Sequence, residues 1–167
     1  MKSFLISFIL LFSFIQITTS QSNFKVQVNP YYKNDFKLAY EINDRVPKGI
    51  LEAIAYTKTR IRHIRPSTDI PSCIGLPEAF GVMGLIADGK QYFNNNLSLV
   101  ANISAYTIED IKQKPSVNIH AFAKAYEVLA VRFNVIDKND IIAQLPILIA
   151  LSELPNQGHV TQNYALD

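Results

Sequence analysis

One stripe of apolar residues limits the folds open to this chain. Ile119, Phe122, Ala123, Tyr126, Leu129, Ala130 and Phe133 recur at steps of three and four, the spacing that places side chains on one face of an α-helix. Such a helix must bury that face against other elements, and the rest of the sequence supplies them. Asn34 or Asp35 can cap a helix carrying Phe36, Ala39 and Tyr40 on one side. Asn43 to Pro47 breaks it and starts another, with Pro47 suited to a first helical turn because its missing N–H costs nothing there. In that next helix Ile50, Leu51, Ile54, Ala55 and Lys58 share a face. Lys58 thus continues a buried stripe, and its ammonium must reach water, a partner or a cleft. Ser116 or Asn118 can cap the central helix. Asp137 or Asp140 starts a last one with Ile141, Ile142, Leu145, Leu148, Ile149 and Leu151, which Pro146 should kink or whose start it should displace, and which Pro155 to Gly158 closes. The expected class is mainly α.

The two ends read differently. Met1 to Ser20 has a positive start at Lys2, an apolar run from Phe4 to Ile15, and small residues at Thr18, Thr19 and Ser20, the pattern of a secretory leader cleaved before Gln21. The run is shorter than the roughly 20 residues of a bilayer span, so no stable membrane span is expected after cleavage. Removing the leader leaves 147 residues, enough for one domain with a core, and lowers the formal charge from +2 to +1. Residues 21–33 form an extended lead-in, with Phe24, Val26 and Val28 alternating as in a short strand, and residues 34–167 form the helical domain. Gln162 to Asp167 resembles the opening of a further helix, so the C-terminal end of the domain is expected to be incomplete.

Two loops interrupt the helices. Pro66, Pro71, Gly75 and Pro77 punctuate residues 66–80. Phe80 to Ile86 then carries Gly81 and Gly84 among apolar residues, a spacing that permits positive φ or close backbone approach. Asn94, Asn95 and Asn96 mark a polar loop tip. The densest positive run, Lys58 to Arg65, reads as a solvated helix C-terminus. No basic stripe follows a helix, so no nucleic-acid partner is expected. The single cysteine, Cys73, cannot form a disulfide within the chain. His63, His120 and His159 are scattered without zinc-ligand spacing, so no metal or other cofactor is expected; His120 lies beside the core stripe and reads as a half-buried polar residue.

Three short segments, in order, resemble the lysozyme-like domain of lytic transglycosylases, and more closely the helical N-terminal module of some bacterial N-acetylmuramoyl-L-alanine amidases. The first is Val46-Pro47-Lys48-Gly49-Ile50-Leu51-Glu52-Ala53-Ile54-Ala55-Tyr56-Thr57-Lys58-Thr59-Arg60, similar to the family's valine-proline helix start and glutamate-serine-arginine ending. The second is Gly81-Val82-Met83-Gly84-Leu85-Ile86, similar to a glycine-x-methionine-glycine-leucine turn. The third is Asn118-Ile119, opening the helix that runs to Leu129-Ala130. Together they span roughly Phe36 to Ala130. The resemblance implies a lysozyme-like fold, export to the periplasm or the medium, and peptidoglycan glycan or stem peptide as partner.

Glycan scission needs a carboxylic acid that protonates the glycosidic oxygen. The family carries it near the end of the first segment, and Lys58 stands at that position. Lysine stays charged near neutral pH and lacks a carboxyl group's geometry. Glu52 lies six residues earlier, off the Lys58 stripe, and is expected to be solvated. Glu78, just before the glycine turn, is the weak candidate for a replacement acid, either overhanging the cleft or standing in water as a loop carboxylate. The resemblance implies a binding surface of Tyr56, Lys58, Arg60, Met83, Gly84 and Tyr126, with the tyrosines facing sugar and the cations pairing with muramyl or peptide carboxylates. The expectation is a non-catalytic wall-binding module, the N-terminal part of an amidase. The alternative is an active peptidoglycan hydrolase or lytic transglycosylase using Glu78, and a structural interaction domain is a third reading.

Overall fold

The computed structural model describes residues 30–66, 77–87 and 93–154. The leader, residues 21–29 of the lead-in, Cys73, His159 and the closing residues 155–167 lie outside the described residues. The fold is mainly helical. A 3-10 turn, Pro30–Tyr32, leads into α1, Lys33–Ile42, and α2, Ile50–Thr59. Two short antiparallel strands, β1 (Ala79–Phe80) and β2 (Leu85–Ile86), pair Ala79 with Ile86 and Phe80 with Leu85. An isolated antiparallel bridge joins Ile64 to Gly81. Four helices follow: α3 (Asn96–Ser104), α4 (Ile108–Gln113), α5 (Pro115–Arg132) and α6 (Ile141–Leu151).

The central helix is α5, and α1, α3, α4 and α6 all pack on it. Ile119, Phe122, Ala123, Tyr126, Leu129 and Ala130 are buried, joined from the other elements by Phe36, Leu51, Ala55, Leu97, Val100, Ile111 and Ile147. Phe133 falls outside the stripe: it is the C-cap residue of α5 and is exposed. The helix starts earlier than its polar residues imply. Pro115 occupies the first turn, so neither Ser116 nor Asn118 is the cap, and Asn118 turns inward.

Three other starts obey side-chain capping. Asn95 accepts from Ser98 N–H (3.1 Å), Thr107 from Asp110 N–H (3.1 Å), and Asp140 from the N–H groups of Ile142 and Ala143 (2.9 and 3.2 Å). The first two open α3 and α4, helices not expected from the sequence. Pro47 does not open α2; it sits in the preceding turn, and Gly49 at φ +90 is the cap residue. Gly49 has no side chain to satisfy the first amides. The Tyr40 hydroxyl does this from α1, accepting from Gly49 N–H (2.9 Å) and Leu51 N–H (3.0 Å) and donating to Glu52. Glu52 is therefore half-buried and partnered rather than solvated. Burial and the Glu52 carboxylate push the Tyr40 hydroxyl well above its ordinary pKa. Pro146 stands inside α6 without ending it. The carbonyl it leaves without a helical donor belongs to Ile142, an exposed residue whose backbone water can reach.

Candidate functional site

The site is built where α2 ends. Arg60 and Ile61 both adopt φ +56, and Ile61 N–H reaches back to Ala55 O (3.1 Å). A buried β-branched residue at positive φ costs on the order of 1–3 kcal/mol and persists only where the surroundings dictate it. Here the reversal turns the chain toward the Gly81–Gly84 turn. The Thr59 hydroxyl bridges the two, 2.8 Å from Ala55 O within the helix and 2.6 Å from Val82 O in the turn.

Both glycines in that turn are required by contact. Gly81 has φ +76, and a Cβ there would overlap the Asn118 amide. Gly84 has φ +61, and a Cβ would stand 2.8 Å from Lys58 Cβ and 3.1 Å from Thr59 Cγ2. Asn118 Oδ1 accepts from Met83 N–H (2.7 Å), while its Nδ2 donates to Ile111 O (3.1 Å). One buried amide thus fastens the turn to both α4 and α5. The three segments that carry the sequence resemblance meet at this point.

Two further asparagines, Asn94 and Asn96, bring in the end of α6. Asn96 Oδ1 accepts from Ile86 N–H (2.7 Å) and its Nδ2 donates to Leu151 O (2.9 Å). Asn94 Nδ2 donates to Ala150 O and Ser152 O (3.0 Å each), and its backbone N–H to Glu153 O (2.6 Å). Held in this way, Glu153 places its carboxylate against the Lys58 ammonium, and the two side chains retain 17% and 22% of their exposure. Burial pushes the Lys58 ammonium down to about 8. The carboxylate beside it works in the opposite sense, favouring the charged form.

The remaining sequence candidates fall into two groups. Tyr56 and Arg60 pair with each other at the same helix end: the Arg60 guanidinium stacks 4.8 Å from the Tyr56 ring centroid and Nη1 donates to Tyr56 O (2.8 Å). Glu78 is exposed just ahead of β1. Met83, Gly84 and Tyr126 are buried, so the expectation that Met83 and Tyr126 face a ligand needs correction. The turn uses Met83 for its backbone N–H and core packing. Tyr126 is fully enclosed, donates to Gln144 Oε1 (2.8 Å), and has its hydroxyl pKa raised by burial. His120 is half-buried between α5 and α1, where burial lowers its pKa and Asp35 opposes the shift.

The asparagines, Thr59 and Glu153 are the residues that reading the sequence missed. Asn94 to Asn96 resembles a loop tip, and only the apolar spacing of Leu97, Val100 and Ala101 behind it hints at a helix start. Elsewhere, a shallow groove of about 540 Å³ between α1 and the start of α2 is lined by Lys37, Tyr40, Glu41, Lys48, Gly49 and Glu52. Lys37 and Glu41 pair along its α1 wall at 3.7 Å, and Glu52 takes the Tyr40 hydroxyl. Among the described residues, no three His, Cys, Asp or Glu side chains are placed to hold a metal ion, and no helix is long and apolar enough to cross a membrane. Compared with protein families, characterised proteins and solved structures, the chain matches none.

Proposed function

We propose that this chain is an exported, lysozyme-like module that binds peptidoglycan without cleaving it, and that it forms the N-terminal part of an N-acetylmuramoyl-L-alanine amidase. The observation that carries the reading is the Lys58–Glu153 ion pair. Where the resembling domains need a proton donor, this chain holds an ammonium, and the nearby carboxylate is its counter-ion. An ion-paired carboxylate is a poor general acid, because the cation favours its ionised form. Convergence of the three resembling segments on one junction supports the reading. So does the half-exposed Tyr56–Arg60 stack beside it, an aromatic face and a cation suited to a sugar ring and its carboxylate substituent. The partner is peptidoglycan glycan or stem peptide, and the compartment is the periplasm or the medium.

The test is retention on insoluble peptidoglycan. The chain should co-sediment with the polymer, and Lys58→Ala should reduce the retained fraction several-fold. Absence of retention in the unaltered protein contradicts the proposal. A second reading is favoured by one observation, the presence of a carboxyl group beside residue 58. It makes the chain an active hydrolase or lytic transglycosylase drawing its acid from Glu153, or from the exposed Glu78.

A further inference from the structure

Only the first part of the positive run from Lys58 to Arg65 is a helix end. The helix stops at Thr59, and Arg62 to Arg65 continues as the extended segment that bridges to Gly81 through Ile64. The antiparallel bridge sets Arg65 beside Phe80. The Lys112 ammonium of α4 lies over the same ring, 4.2 Å from its centroid. Arg65 Nη2 donates to Gln113 O (2.6 Å), the residue after Lys112. His63 leans toward the same carbonyl, yet both its ring nitrogens are buried without completing a hydrogen bond.

Three basic side chains from two elements are thus gathered around one carbonyl and one aromatic ring. No carboxylate stands within ion-pair reach of Arg65 or Lys112 among the described residues. Helix capping accounts for one N–H of Arg65 and leaves the rest of its fork available. Lys112 stands in the last turn of α4 over Phe80, which leaves its ammonium protons available, and capping does not account for the imidazole. Burial first and the Arg65 charge second push the His63 pKa down, with the Gln113 carbonyl opposing them. An oxyanion at the mouth of the cluster would relieve the repulsion between the cations and give the guanidinium a bidentate partner.

We propose that Arg65 and Lys112, with the buried His63 imidazole behind them, form an oxyanion site that takes the carboxylate or phosphate groups of an acidic glycan. The identity of the polymer rests on the wall-binding reading; the oxyanion site does not. A glycan fits better than a nucleic acid because the cations are clustered at one point and the chain's formal charge is only +2, with no basic track to follow a phosphate backbone.

The test is a two-dimensional NMR titration of the histidine ring resonances in the full chain. The probes are inorganic phosphate, oligogalacturonate, a neutral chitin oligosaccharide of equal length and oligo-dT. Phosphate and oligogalacturonate should move the His63 resonances saturably and raise the His63 pKa, and the neutral sugar should not. Arg65→Gln keeps a donor for Gln113, and Lys112→Met keeps the packing on Phe80; each should weaken the response about tenfold, the loss of one charged contact of about 1.4 kcal/mol. No saturable shift with either anion, or a response unchanged in both variants, overturns the site. Tighter binding of oligo-dT than of oligogalacturonate at equal charge overturns the glycan assignment. Peptidoglycan retention separates this proposal from the last: a His63 response to phosphate without retention fails the wall-binding reading alone, whereas retention that depends on Lys58 with a silent His63 fails the oxyanion site alone.

Discussion

Two parts of this molecule invert the usual distribution of residue types. At the junction of α2, the glycine turn and the end of α6, polar residues are inside: Asn96, Asn118, Thr59 and Ser152 are buried. At the opposite end of α5, apolar residues are outside: Val131, Phe133, Ile136, Ile141 and Ile142 are all exposed. The difference follows from the backbone. The junction is made of chain reversals and helix ends, whose N–H and C=O groups lack ladder partners, so each needs a side-chain amide or hydroxyl brought to it. The α5–α6 connection lies at the surface, tied by Lys138 Nζ to Asp44 O (2.7 Å) and Arg45 Nη1 to Val135 O (3.3 Å), and its backbone is within reach of water. Stability should therefore depend more on the polar junction than on the apolar end.

The largest effect is expected at Asn118. Asn118→Ala leaves Met83 N–H and Ile111 C=O buried without partners, and at about 1–3 kcal/mol for each the loss should be about 4 kcal/mol in urea-unfolding free energy. A loss below about 1 kcal/mol would erase the contrast between the two regions. Gly84→Ala comes next, at about 3 kcal/mol, because it combines a positive φ with crowding against the buried stems of the Lys58 and Thr59 side chains.

These positions also mark how far the sequence could be read. The core stripe of α5 was legible, because 3.6-residue periodicity follows directly from burying one helix face; Ile119 to Ala130 behave as the spacing requires. Helix starts were only partly legible: Asp140, one of two candidates, does cap α6, but the caps of α3 and α4 at Asn95 and Thr107 went unseen, and α1 and α5 begin before the expected Asn34 or Asp35 and Ser116 or Asn118. Asn96 and Asn118 were not legible, since an asparagine that grips a distant backbone has the same local signature as one in a turn. Glu153 was unreadable for a related reason. Its pairing with Lys58 depends on where α6 ends relative to α2, across 95 residues of sequence. Lys58 itself was half-legible: its place on a buried stripe required a partner, and the fold supplied a carboxylate not singled out by any sequence pattern.

Lys58 sharpens the comparison through pH. Its folded pKa of about 8 lies below the unfolded value of 10.5, so between those values the unfolded chain binds the extra proton and stability from this group rises with pH. The Lys58 contribution should appear as a rise in unfolding free energy from pH 8 to about 9.5, below the range in which the raised Tyr40 and Tyr126 hydroxyls begin to cost stability, and Lys58→Met should flatten that rise. A fall across the same window attributable to Lys58 would mean that the Glu153 carboxylate outweighs burial. The smallest effect belongs to the apolar end. Ile142→Ala removes an exposed side chain and should change stability by about 0.5 kcal/mol or less; a loss near that of a core truncation would show that this surface is covered in solution.

The measurement closest to the functional claim is muropeptide release from purified peptidoglycan by the full chain. The proposed wall-binding role, in which the ammonium paired to Glu153 takes the place of a proton-donating acid, predicts release no greater than that of an inert control protein. Sustained release that disappears in Glu153→Gln or Glu78→Gln would contradict the account and make the chain an enzyme.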